Sequence, residues 1–110
     1  GVFPNFSDPK ILWVGIEQGA DRISNLAKKI DDLLQPIGFK KEKRAFVPHI
    51  TIARIKNINN KDMFKEKVLK YKETFFAEET ISMISLMKSD LTSQGAVYTS
   101  IKEICFGKRE

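Results

Sequence analysis

The sequence is poor in the residues that build metal and redox sites. It holds one histidine and one cysteine among 110 residues. A single cysteine excludes an internal disulfide, and one Cys with one His excludes a zinc site of the usual Cys and His type. Cys105 lies in the apolar run Ile104-Cys105-Phe106, where it reads as a small core residue rather than a nucleophile. No stretch approaches the roughly 18 consecutive apolar residues that a membrane-spanning helix needs, so no membrane partner is expected. A secretory signal is also missing, which makes a reducing cytoplasm the expected setting. Internal repeats, low-complexity tracts and interdomain linkers are absent too. The chain opens Gly1-Val2-Phe3-Pro4-Asn5 without an initiating Met, as expected of a processed protein or of a piece of a longer one.

What is there suits one small domain. Hydrophobic residues make up 42% and charged residues 30%, a composition that excludes general disorder. Lys and Arg outnumber Asp and Glu by 19 to 14, giving a formal charge of +5. A basic surface favours phosphate-bearing partners, because each contacted phosphate releases counterions. On charge alone, a lysine-rich solvated surface with no nucleic-acid partner is the simpler explanation.

Hydrophobic patterning predicts the elements. Residues 10–16, Lys-Ile-Leu-Trp-Val-Gly-Ile, form a short apolar run after the turn residues Ser7-Asp8-Pro9, as expected of a strand buried on both faces. Ile23, Leu26, Ala27, Ile30, Leu33 and Leu34 make a one-sided stripe at helical spacing, with Arg22, Asn25, Lys28, Lys29 and Asp32 opposite. Pro36 and Gly38 should end that helix, one as a breaker and one as a cap. A strand is expected over Phe46–Ile55, with Pro48 at its start, on an edge or at a bulge. Asn60 is placed to cap a second helix whose face carries Phe64, Val68, Tyr71 and Phe75. Residues from about Ile81, a turn at Ser93-Gln94-Gly95, and a return over Ala96–Phe106 read as a hairpin. The order strand, helix, strand, helix, hairpin gives an α+β fold. Its sheet should be antiparallel-rich, with two helices packed on one face.

His49 is the only side chain whose unperturbed pKa lies near neutrality. In a strand it shares a face with Thr51, so the two can reach one phosphate: His49 moves a proton while Thr51 donates to an oxygen. A lone hydrogen-bonded strand histidine beside a common strand threonine would look the same. By strict alternation His49, Thr51 and Ala53 face one way and Ile50, Ile52 and Arg54 the other, so Arg54 reaches His49 only where the strand bulges or ends.

The longer string Arg44-Ala45-Phe46-Val47-Pro48-His49-Ile50-Thr51-Ile52-Ala53-Arg54-Ile55 resembles the second signature of the 2'-5' RNA ligases, a branch of the two-histidine phosphoesterases. Gly1–Pro4 with Lys10–Ile16, and Ser89–Tyr98, resemble that family's mid-protein loop and strand and its C-terminal hairpin. The resemblance implies that residues 1–110 are the C-terminal lobe of a two-lobed fold, each lobe presenting one His-x-Thr across a basic cleft. It implies metal- and cofactor-free opening of an RNA 2',3'-cyclic phosphate to a 2'-phosphate, and joining or cleavage of 2'-5' linkages. Carried over, His49 is an acid/base catalyst, Thr51 a phosphate ligand and Arg54 a substrate-binding residue. The other His-x-Thr is not in this sequence, so a missing N-terminal lobe, or a second copy in a homodimer, would have to supply it. The alternatives are a noncatalytic RNA-binding module and an inactive half-domain.

Overall fold

A computed structural model describes residues 1–107. It contains strands β1 (Val2–Phe3), β2 (Ile11–Gly15), β3 (His49–Arg54), β4 (Met83–Thr92) and β5 (Gly95–Cys105), with helices α1 (Ala20–Leu34) and α2 (Lys61–Lys70). The class is α+β, as the patterning predicts, and every strand pairing is antiparallel. The chain divides into two compact units, Gly1–Thr74 and from Phe75 onward.

The first unit is built on a three-stranded sheet of order β1-β2-β3. β1 was expected only as loop; it pairs Val2 with Leu12 and Phe3 with Ile11. β3 forms the other edge, and Pro48 sits immediately before it, where its missing N–H costs no ladder bond. β2 was expected to be buried on both faces, yet residues 11–14 are only half-buried. Cover over the two faces of β2 is therefore incomplete.

Both helices follow from local chemistry. α1 begins after Gly19, whose φ of 83° places it in the left-handed region. The chain then tightens into a 3-10 turn, Gln35–Ile37, that contains Pro36. Gly38 (φ 106°) donates its N–H to the Gln35 carbonyl, and the Phe39 N–H reaches the Leu34 carbonyl. This pair of bonds is a Schellman closure with glycine at its left-handed position. α2 starts at Asn60, whose Oδ1 accepts from the Met63 N–H at 3.0 Å. Its first turn is held to the segment before β2, since Lys61 Nζ donates to the Ser7 carbonyl at 2.6 Å and the Phe6 and Phe64 rings meet edge-on at 6.4 Å. α2 stops at Lys70, short of the expected Phe75. Tyr71, Lys72 and Thr74 bond back three residues instead of four, and the sequence that follows, Thr74-Phe75-Phe76, consists of poor helix formers.

The second unit contains the expected hairpin. Thr92 pairs with Gly95 across Ser93-Gln94. The Thr92 hydroxyl donates to the Gly95 carbonyl and accepts from the Gln94 N–H, while Gly95 takes φ 116°. Cys105, expected in a core, is exposed opposite Met83, because strand alternation turns it away from the half-buried face of Ile84.

Val2, 8% exposed, and Pro9 are the buried residues among those described. Large apolar side chains are exposed on α1 (Leu33), β3 (Ile50, Ile52), α2 (Leu69) and both strands of the hairpin (Leu91, Ile101). With so little burial, stability rests heavily on local devices such as caps and ladders. Asn60→Ala should therefore lower unfolding free energy by about 1 kcal/mol, measured by urea denaturation followed by circular dichroism. An unchanged midpoint would show that the cap contributes nothing.

Candidate functional site

Strand register decides which side chains can meet. Residues directly opposite in an antiparallel pair project to the same face. Gly15 lies opposite His49, Val14 opposite Ile50, and Trp13 opposite Thr51. Between Trp13 and Leu12 the register shifts, so that Leu12 pairs with Ala53 and Ile11 with Arg54. Ile52 is thus an extra residue on β3, a bulge that changes which residues share a face.

This geometry bears on all three sequence-derived site residues. His49 and Thr51 share the face of Gly15 and Trp13. Arg54 is opposite Ile11, two positions from Trp13, so it lies on that same face. Ala53 pairs with Leu12 and turns to the other side, contrary to the simple alternation that grouped it with His49 and Thr51. β3 therefore has the interruption that Arg54 needs to share the face of His49. Phe3, paired with Ile11, joins the same face.

The His49 ring is held by backbone and by rings. Its Nδ1 lies 2.6 Å from the Val47 carbonyl oxygen. A carbonyl can only accept, so Nδ1 carries the proton and Nε2 is the nitrogen left to take or give one. Phe3 meets the imidazole edge-on at 5.0 Å and 89°, and Trp13 at 6.0 Å and 63°. Phe3 and Trp13 stack on each other at 4.8 Å. Gly15 makes room for this arrangement, since a Cβ there would sit 3.3 Å from Trp13 Cζ3. The indole thus leans over the side-chain-free position directly across from His49. Its Nε1 is buried without a hydrogen-bond partner, a desolvation cost on the order of 1–3 kcal/mol.

Sequence reasoning did not single out Phe3, Trp13, Gly15 or Val47. Trp13 and Gly15, two apart in a strand, signal a shared face, but only the pairing with β3 shows that this is the face of His49. Among the described residues, no three His, Cys, Asp or Glu side chains are placed to hold a metal ion. No helix among them is long and apolar enough to cross a membrane.

Comparison with known proteins places the chain. The model of the LigT-like phosphoesterase family matches residues 14–98. The chain belongs to that family. An RNA 2',3'-cyclic phosphodiesterase of Aquifex aeolicus is 40% identical over 97% of this chain and 57% of its own length. One from Methanocaldococcus jannaschii is 42% identical over 94% of this chain and 58% of its own. One from Aeropyrum pernix is 32% identical over 94% of this chain and 59% of its own. The chain thus spans less than two thirds of the length of these LigT-like relatives.

The Val47 bond makes a spectroscopic prediction. In long-range 1H–15N spectra of neutral His49, Nδ1 should show the shift of a protonated nitrogen and Nε2 that of an unprotonated one. Averaged shifts, or the reverse assignment, would mean that the Val47 carbonyl does not set the tautomer.

Proposed function

We propose that this chain supplies half of the active site of an RNA 2',3'-cyclic phosphodiesterase. One observation carries the reading: His49, with Nδ1 engaged by the Val47 carbonyl and Nε2 left to exchange a proton, shares one sheet face with Thr51 and Arg54. The names of the relatives supply the substrate class.

The chemistry is a displacement at phosphorus. A water oxygen forms a bond to phosphorus, the bond from phosphorus to O3' breaks, and a ribose 2'-phosphate with a free 3'-hydroxyl remains. One group takes a proton from the water and another gives a proton to O3'. Nε2 of His49 serves one of these transfers. The Thr51 hydroxyl donates to a non-bridging oxygen, and the Arg54 guanidinium balances charge that builds on the phosphate. An RNA 5'-hydroxyl in place of water would form a 2'-5' linkage by the same bond changes. The net charge of +5 favours RNA over neutral substrates.

A second proton-transfer group is required, and His49 is the only histidine here. A further lobe with its own His-x-Thr is the proposed source; a second copy of this chain is the other arrangement that would supply it. The single cysteine and the intracellular nature of RNA processing favour a cytoplasmic setting.

The test uses the protein expressed from its complete reading frame. It should convert an oligoribonucleotide 2',3'-cyclic phosphate to the 2'-phosphate. His49→Ala should lower kcat on the order of 10²–10⁴-fold, and Thr51→Val should lower it by about 10²-fold or more. Arg54→Ala should act chiefly on KM. Activity from a species that light scattering shows to be a monomer assigns the second group to the same chain, and activity confined to a dimer assigns it to a second copy. Turnover that survives His49→Ala leaves RNA binding without catalysis by this lobe as the better reading.

A further inference from the structure

We propose that Phe3 and Trp13 are positioning residues for His49. Their stacked rings meet the imidazole edge-on, hold Nδ1 on the Val47 carbonyl and leave Nε2 to exchange a proton. The inference rests on His49 as the proton-transfer group, but its first readout needs no RNA turnover.

Three features of the sheet carry it. Phe3, Trp13, Gly15 and His49 share one face by register, and the ring contacts at 4.8, 5.0 and 6.0 Å form a closed triangle. The position across from His49 is glycine, and one edge of the indole, Cζ3, lies 3.3 Å from where a Cβ would sit there. A tryptophan kept for packing alone normally places its Nε1–H on an acceptor, whereas Trp13 buries Nε1 with none. Phenylalanine would pack here without burying an unpaired donor. What phenylalanine lacks is the second ring, and the six-membered ring of Trp13 reaches from Gly1, where it excludes a Cβ, to the side of Gly15. An imidazole on an exposed edge strand has few neighbours to fix its χ angles. A single backbone hydrogen bond permits pivoting about its own axis, and edge contacts with two rings remove that freedom.

The experiment follows His49 in 15N-histidine-labelled protein expressed from the complete reading frame, with its signals assigned by their loss in His49→Gln. The wild type should show the two ring nitrogens with separate protonated and unprotonated shifts. Trp13→Ala should bring them together as the ring samples both tautomers, and Trp13→Phe should do so less. In parallel, kcat for cyclic-phosphate opening should fall, by up to about 10²-fold for Trp13→Ala, with KM little changed. Unchanged His49 shifts in Trp13→Ala overturn the proposal. A rise in KM with unchanged shifts also overturns it, because the rings would then be gripping substrate. Should Trp13→Ala fail to fold, Trp13→Phe and Phe3→Leu decide: shifts equal to wild type in both defeat it, and convergence in both supports it. A wild type without turnover would sink the cyclic-phosphodiesterase reading, while the tautomer shifts would still judge this one.

Discussion

The candidate site depends on one extra residue in one strand. Without Ile52 as a bulge, β3 would alternate strictly, and Arg54 would join Ile50 on the side away from His49. With it, the register to β2 shifts by one between Trp13 and Leu12. Arg54 then meets the face of His49 and Thr51, and Ala53 leaves it. An imidazole, a hydroxyl and a guanidinium are thereby grouped within six consecutive residues. An unbroken strand cannot present positions 49, 51 and 54 on one face, because its side chains repeat every two residues. The bulge also lies within a strand at the sheet edge, where a local loss of pairing costs least.

Holding an imidazole on an edge strand is a second constraint. His49 is exposed, so no surrounding core defines its rotamer. The Val47 carbonyl settles which nitrogen carries the proton, and the aromatic pair from β1 and β2 limits where the other can point. Those rings come from β1 and β2 and the imidazole from β3, so the candidate site needs the whole β1-β2-β3 sheet although His49, Thr51 and Arg54 lie on β3 alone. β1 contributes just two residues. Its value to the site is Phe3, and its value to the fold is Val2, a buried residue on the opposite face. The same two-residue strand therefore serves both sides of the sheet.

Much of this was legible beforehand. The stripe from Ile23 to Leu34, the Pro36 and Gly38 stop, the Asn60 cap and the hairpin turn are local signals, and each appears where local chemistry puts it. The errors arise where the answer depends on non-local partners. Composition suggests a β2 buried on both faces, but burial is set by what packs over those faces. Apolar neighbours suggest a core position for Cys105, although alternation exposes it opposite Met83. α2 was drawn to Phe75 from apolar spacing alone, which does not register the weak helix propensity of Thr74-Phe75-Phe76. Within the site, His49, Thr51 and Arg54 could be named from one contiguous string. Trp13 and Gly15 could not be tied to them, since nothing local reveals that Gly15 pairs with His49. The family, too, is legible in that string, which lies within the matched residues 14–98.

The proposed chemistry explains why a single His-x-Thr is half a site. In a displacement at phosphorus the entering and departing oxygens lie roughly in line on opposite sides of the atom. A group that transfers a proton must stand within hydrogen-bond reach, about 3 Å, of the oxygen it serves. An imidazole placed for one oxygen is therefore out of reach of the other, and its pivot is restricted further by Phe3 and Trp13. Greater mobility would not solve this, because a ring free to swing between the two oxygens would lose the orientation that makes either transfer fast. The solution compatible with a fixed His49 is a second fixed group approaching from the far side of the phosphate. A site on an edge strand with its reactive face exposed leaves that approach open. The exposure that leaves this unit with so little core is, on this reading, also what allows two halves to close around one phosphate.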